Sequence, residues 1–387
     1  MNDIKAVLDE ERLKAFAIEL IQTPSLSMEE AGVSQLVRRE MESLGYDDVW
    51  VDALHNVVGV IKGTGSGPTL MFNGHIDHAG VGDMPEPFSG KVIDGSAFGH
   101  EGSVIYGRGA SDMKGAVAAM VHAGGMIKRL GSHPAGDVLV TCVSREEMAR
   151  GEGIKHLLES GLRADFAVSG EASGLKVYVG HRGKFEVKVT VKGRTTHGGY
   201  PQGGINAIFK MNRFLSALLT DYPLPDHPFL GKATVTALDI CASPGALTPI
   251  VPDRCEAVID RRFFPEENEE QLLGSFRKIF EQIRKEDPEF KAEVETLKWF
   301  PAMFTDPNEP VVRAILRARE KVLGDGGNVG AWYFGVDGTF INEAGIPCVG
   351  LGPGNEYLAH TPKDVVPVRE LFCAAEIYAA LIMDMRG

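Results

Sequence analysis

A chain of 387 residues exceeds the usual length of one domain, so two are expected, each burying a core of its own. The apolar fraction of 44% is ordinary for a soluble globular protein, and a formal net charge of −13 argues against binding a phosphate backbone or an anionic membrane surface, so neither nucleic acid nor membrane is an expected partner. Met1-Asn2-Asp3-Ile4-Lys5 carries no apolar leader, no run approaches the roughly 18 apolar residues of a membrane span, and the five cysteines are scattered with no C-x-x-C pair, so a cytoplasmic protein with reduced thiols is expected.

Leu13, Phe16, Ala17, Leu20 and Ile21 recur at helical spacing, and a second helix carries Val33, Leu36, Val37, Met41 and Leu44 up to Gly45. Val57 to Lys62 and the run from Thr69 read as strands. The Gly63-Thr64-Gly65-Ser66-Gly67-Pro68 stretch between them imitates a dinucleotide fingerprint, but no helix follows it, so it is read as a hairpin turn. The second strand, Thr69-Leu70-Met71-Phe72, is expected to stop at Asn73-Gly74, after which the chain delivers His75 and Asp77 on one face of extended backbone. His75 is placed to bind a metal through one ring nitrogen while Asp77 accepts the other N–H and fixes the tautomer. Val81 to Gly99, rich in Gly, Pro and Asp, reads as a long surface loop. Asp112 then falls where a loop turns into a small-residue helix bearing Val117, Met120 and Val121, near backbone N–H groups that keep a carboxylate ionised. Val138 to Val143 and Asp165 to Ser169 are continuous apolar strands of the kind buried on both faces; Glu146 and Glu147 follow the first, Glu171 the second.

From about Tyr178 the texture changes. Phe185, Val187, Val189 and Val191 alternate with polar residues, as in an antiparallel sheet with one wet face. The order from there to Leu297, β-α-β-β-α-β, predicts a ferredoxin-like sandwich inserted into the first domain. The fold class is therefore α/β: a mainly parallel sheet flanked by helices over residues 1–180 and 298–387, with an α+β domain over 181–297. In the returning part, a helix over Val311 to Val322, a strand at Pro347 to Leu351, Gly352-Pro353-Gly354-Asn355, His360 and a last helix over Leu371 to Met383 complete the chain.

His75, Asp77, Glu146, Glu147, Glu171 and His360 lie past predicted buried strands, with Asp112 on a neighbouring loop. In an open α/β sheet those strand ends line the ligand crevice. Two imidazoles and three carboxylates suit two divalent cations of the zinc, cobalt or manganese type better than magnesium or calcium. With Asp112, Glu147 and Glu171 assigned to the cations, a bridging hydroxide balances the charge, and Glu146 is free to take a proton from that water and hand it to a leaving nitrogen.

These motifs, His75-x-Asp77, Gly107-Arg108-Gly109-Ala110-Ser111-Asp112-Met113-Lys114-Gly115, Glu146-Glu147, Glu171 and the late Pro353-Gly354 to His360, resemble in kind and order the M20 metallopeptidases of the acetylornithine deacetylase, succinyl-diaminopimelate desuccinylase and glutamate carboxypeptidase type. The resemblance implies His75, Asp112 and Glu171 at one zinc and His360, Asp112 and Glu147 at the other, with Asp112 bridging, Glu146 as general base and Asp77 orienting His75. It also implies that the inserted domain is a lid that forms a homodimer, that His197 in Thr195-Thr196-His197-Gly198-Gly199 reaches the partner's site to stabilise an oxyanion, and that Arg262 in Asp260-Arg261-Arg262 clamps a substrate carboxylate. Read without it, His197 is a turn residue and Arg262 a solvated strand charge. The implied reaction is cleavage of a small N-acyl or N-carbamoyl amino acid, with a metallo-exopeptidase and a non-catalytic binding protein as the competing readings. Two residues depart from the family pattern: Pro249 stands where many relatives carry Asn, and His78 where Thr is usual, the latter read as a rim residue. The run Gly180-His181-Arg182-Gly183 through Asp226 to Lys232 is most similar to the selenium-metabolism-linked hydrolase branch, with His181 read as a hinge hydrogen-bonder.

Overall fold

The computed structural model describes residues 2–245 and 249–385. Its contacts divide the chain into two units, Met1–His181 with Met303–Gly387, and Arg182–Ala302. The first unit keeps His181 because Val177–His181 is a strand of its sheet. The chain returns to it at Met303 rather than at Lys298, because the strand Lys291–Phe300 runs past Leu297 across a bulge between Thr296 and Lys298.

The first unit is built on a nine-stranded sheet. In spatial order its strands are Asp48–Val51, Val57–Ile61, Val138–Val143, Leu70–His75, Phe166–Ser169, Cys348–Gly350, Val177–His181 and Met303–Phe304, with Val329–Trp332 also pairing Val177–His181. Leu70–His75 runs parallel to both neighbours, and Cys348–Gly350 runs parallel to Phe166–Ser169. Val138–Val143 and Leu70–His75 are buried at every position, which is why they read as unbroken apolar runs. Residues from Glu10–Gln22, Ala31–Ser43, Gly115–Arg129, Pro310–Leu323 and Val368–Asp384 share one core with them. The first of these helices opens on Asp9, whose side chain accepts the Arg12 N–H at 3.0 Å.

Three local expectations are corrected. Val57–Ile61 and Leu70–His75 are not a hairpin, because Val138–Val143 lies between them. The glycine run is a crossover pressed on the segment before that strand: Thr64 N–H donates to the Pro134 carbonyl and Ser66 N–H to that of Ala135. A Cβ on Gly136 would stand 2.0 Å from the Pro68 carbonyl oxygen, so close backbone approach explains the glycines there. The strand through Leu70 does not stop at Asn73-Gly74 but continues to His75, and Gly74 lets Met113 approach, a Cβ there being 2.7 Å from its methyl carbon. Finally, the segment read as a loop from Val81 to Gly99 contains the strand Lys91–Asp94, paired with Ser103–Tyr106, which also pairs with Val365–Pro367.

The second unit has a four-stranded antiparallel sheet in the order Thr234–Ser243, Arg254–Phe263, Gly183–Lys192, Lys291–Phe300. With helices Ala207–Asp221 and Glu269–Glu286, this is the predicted ferredoxin-like order, plus a small hairpin pairing Asp226–His227 with Gly231–Lys232. Phe185, Val187, Val189 and Val191 meet Phe214, Phe276 and Phe280 in a core of its own. Among the described residues no helix is long and apolar enough to cross a membrane.

Candidate metal centre and active site

Parallel register explains why residues far apart in sequence meet. His75 is level with Val143, Asn73 with Ser169, and Gly350 with Ser169. The segments that leave these strands, bearing Glu146 and Glu147, Glu171, and His360, therefore start from one edge of the sheet, as ligand crevices of open α/β sheets do. Asp112 is presented by a kinked turn, Ala110–Lys114, in which Asp112 and Met113 leave helical backbone angles before the helix Gly115–Arg129 begins. Arg145, with φ of 60°, turns the chain just before Glu146, and His360 itself has φ of 60°, a left-handed conformation that non-glycine residues adopt mainly where something is held in place.

Asp112 lies between the two imidazoles. Its Oδ1 is 2.9 Å from His75 Nε2 and its Oδ2 is 3.0 Å from His360 Nε2. Glu147 Oε2 is 2.9 Å from the same His360 nitrogen, and Glu171 Oε1 is 3.7 Å from His75 Nε2. The two imidazoles thus meet at Asp112, and the donors lying within 4.8 Å of one another fall in two sets that share His75: His75, Asp112 and Glu147, and His75, Glu146 and Glu171. Glu146 joins His75 and Glu171 in one set of donors lying within 4.8 Å of one another, yet forms no ion pair with either histidine.

Asp77 does something the sequence did not disclose. His75 Nδ1–H donates to the Asp77 backbone carbonyl at 3.0 Å, with the carboxylate farther off at 3.5 Å. That carboxylate instead accepts the N–H of Glu146 at 3.1 Å and of Glu147 at 3.2 Å, and the Ser27 hydroxyl at 2.7 Å. One buried aspartate therefore fixes the histidine's tautomer with its main chain and the glutamate pair with its side chain.

Asp364 was missed. It is fully buried and accepts the N–H groups of Gly109 and Ser111, each at 2.8 Å, so it holds the turn that presents Asp112. Arg108 pairs with it at 3.3 Å and donates to the Thr361 carbonyl, tying that turn to the residue after His360. The signal in sequence was an aspartate four residues beyond the metal-type histidine, paired with the arginine of Gly107-Arg108-Gly109. Asp337 was missed too: it is buried, and its Oδ2 lacks a partner.

The donors are crowded enough to shift one another. His360 is pushed up to about 10 by hydrogen bonds to Asp112 and Glu147. Burial would strip His75 of its proton, but Asp112 and Asp77 outweigh it and raise that imidazole as well. Burial, reinforced by Asp112 and Glu147, pushes Glu171 up to about 8, and burial raises Glu146 well above the carboxylate range despite the nearby His75. Imidazole nitrogens mixed with carboxylate oxygens fit zinc, cobalt or manganese better than the oxygen-only sets of magnesium and calcium, so the residues present fit a pair of such ions.

The model of peptidase family M20/M25/M40 matches residues 71–384. The chain belongs to that family. It is 34% identical over 385 residues to the Escherichia coli K12 protein YgeY, covering 95% of this chain and 92% of that one. To the N-formyl-4-amino-5-aminomethyl-2-methylpyrimidine deformylase of Bacillus subtilis it is 27% identical over 388 residues, with 91% and 88% covered. Its fold is that of the Bacillus subtilis YXEP protein, described as a dinuclear metal binding peptidase, at a TM-score of 0.73 and 19% identity over 97% of each chain. As an M20 chain with these donor groups it is a metal-dependent hydrolase of the amidohydrolase and peptidase type.

The other sequence-predicted site residues of this M20 chain lie in the second unit. His197 is exposed, and its Nδ1 accepts the Gly199 N–H at 3.0 Å. Arg262 is half-buried and gives its Nε–H to Asp260 at 2.8 Å. His78, read as a rim residue, is instead buried: its Nδ1–H donates to the Ala79 carbonyl at 2.8 Å, and burial pushes it down to about 4, so it is a neutral core imidazole. His181 is also buried and accepts the Val336 N–H at 3.2 Å.

Proposed function

We propose that the protein hydrolyses the amide bond of a small N-acyl or N-carbamoyl amino acid, with two divalent cations, zinc first among them, held by His75, Asp112, Glu147, Glu171 and His360. The observation that carries the reading is Glu146: it is the cluster carboxylate that bonds neither histidine, while Asp77 fixes its backbone. Bound cations would polarise the scissile carbonyl and make an attacking water acidic. Glu146 takes the proton of that water and delivers it to the departing nitrogen, a shuttle suited to a carboxyl whose burial raises its affinity for a proton. A curated relative named for removing a formyl group from nitrogen supports amide chemistry of this kind. Replacing Glu146 by Gln keeps the shape and removes the base. The expected outcome is a fall in kcat of about 10³-fold, with elemental analysis still finding both metals; a variant that stays active, or that loses metal in proportion to rate, overturns the assignment. Rates on acetyl-amino acids against dipeptides separate the deacylase from the exopeptidase reading.

The second unit supports two further roles in the same reaction. Because His197 Nδ1 accepts a hydrogen bond, its proton sits on Nε2, where it can be given to a developing oxyanion. Because Asp260 takes only Nε of Arg262, the terminal nitrogens are left to grip a substrate carboxylate. The edge strand Thr234–Ser243 exposes Leu238 and Ile240, and Ala207–Asp221 exposes Phe209, an unpaired edge and apolar side chains that favour a homodimer through this unit. A Leu238→Asp, Ile240→Asp variant is expected to run as a monomer in light scattering, and to lose activity if His197 serves the partner; a fully active monomer rules that out.

A further inference from the structure

A cavity of about 280 Å³ opens beside the cluster, within the first unit. The cluster residues Asp112, Glu146, Glu147, Glu171 and His360 line it together with Tyr333, Phe334 and Glu356. The volume, just below the usual range for small-molecule sites, fits a small group. The aromatic part of the lining has a definite chemistry. Tyr333 stacks on Tyr357 with ring centroids 5.2 Å apart and planes 12° from parallel, and Phe334 meets Tyr333 edge-on at 5.1 Å.

Glu356 stands out among these residues. It is 4% exposed, and among the described residues no lysine, arginine or histidine pairs with it. Its Oε1 accepts the Tyr178 hydroxyl at 2.7 Å. Burial and the neighbouring Glu356 together push Tyr178 up, so that phenol stays protonated and remains a donor. The cation-binding residues account for the other carboxylates lining the cavity, apart from the base Glu146. Glu356 serves neither role. A buried carboxylate with no countercharge is costly, and one that lines a cavity is relieved by a ligand that brings the charge with it. Aromatic faces beside it add to the attraction for the same kind of group.

We propose that this cavity recognises a positively charged nitrogen on the acyl side of the substrate, held by Glu356 among the rings of Tyr333 and Phe334. The inference rests on the amide-hydrolysis reading and narrows it to acyl groups that end in an ammonium or a protonated amino-heterocycle. Neutral acyl groups of the same size are poorer substrates, and acyl groups ending in a carboxylate are poorer still. With a substrate carboxylate assigned to Arg262, the two ends of the molecule carry opposite charges.

The test uses metal-loaded, full-length protein and three substrates differing in the acyl group: N-(4-aminobutyryl)-leucine, N-pentanoyl-leucine, which matches it in size without the charge, and N-succinyl-leucine. The ammonium compound is expected to exceed the pentanoyl one in kcat/KM by about 10-fold or more, the scale of one charge-assisted hydrogen bond. Glu356→Gln is expected to bring that ratio near one, and Glu356→Lys to favour the succinyl compound. Equal rates for the first two substrates in the unaltered protein overturn the proposal without need of a variant, as does a preference that survives Glu356→Gln. If none of the three is hydrolysed, the amide reading fails, and calorimetric binding of 4-aminobutyrate against pentanoate then decides the site: tighter binding of the former that is lost in Glu356→Gln upholds it, and equal binding overturns it.

Discussion

At the scale of single residues, the candidate ligands matter less as a set than through the groups that hold them. Asp364 shows this most sharply. Its carboxylate takes two backbone N–H groups of the turn presenting Asp112, and Arg108 carries the connection on to Thr361, next to His360. Asn at this position is isosteric but has one accepting oxygen and one donating nitrogen, so either Gly109 or Ser111 N–H would face another donor. A buried N–H without a partner costs on the order of 1–3 kcal/mol, and the turn would move to relieve it. The Asp364→Asn protein is therefore expected to hold metal about 10–100-fold more weakly, measured by competition with a chelator. Unchanged affinity would show that Asp112 is positioned by other means. Sequence reading could single out the candidate ligands because each follows an apolar strand or opens a helix, a local pattern. It could not find Asp364, nor the use Asp77 makes of its side chain, because both act on backbone N–H groups that carry no residue identity.

At the scale of elements, the same distinction holds. Strands buried on both faces and helices with one apolar stripe were legible, since their periodicity is set by a few neighbouring residues. Pairing was not: the glycine run looked like a hairpin turn because nothing in Val57 to Phe72 records that Val138–Val143 inserts between the two strands. A buried polar network among three helices escaped for the same reason. Glu40, from Ala31–Ser43, accepts His122 Nε2–H at 3.1 Å from Gly115–Arg129 and is paired with Arg12 from Glu10–Gln22. Burial by itself would raise the Glu40 carboxyl, but hydrogen bonds from His122 and Arg12 outweigh it and hold the group below the ordinary range. Burial lowers His122. Both groups therefore bind protons more readily in the unfolded chain: the His122 contribution is full above the unfolded histidine pKa of about 6.5 and is lost as pH falls below it, whereas that of Glu40 is lost only below the unfolded carboxyl pKa of about 4.3. The urea midpoint of the first unit is expected to drop between pH 7 and pH 4, and a Glu40→Gln, His122→Gln variant to show a flatter profile over that window. A variant with the parent's slope would place the acid sensitivity elsewhere.

At the scale of the whole molecule, the two units have separate hydrophobic cores, and among the described residues the metal-type donor groups belong to the first alone. Their charges are also unequal to their surroundings: Asp112, Glu147 and Glu171 have histidine partners only, and no lysine or arginine among the described residues pairs with them or with Glu146. Bound cations would thus stabilise the first unit in two ways, by mass action and by removing repulsion among these carboxylates, while the second unit has no such dependence. A ligand at one hundred times its dissociation constant contributes about 2.7 kcal/mol per site, and in a unit of this size each kcal/mol moves the melting temperature by about 2–4 °C. Calorimetric scans with and without a chelator are expected to show one transition falling by roughly 5–10 °C or more and another, from the Arg182–Ala302 unit, staying where it was. Two transitions that fall together would mean that the units unfold as one, and none that falls would mean that the donors bind no metal tightly enough to matter for the fold.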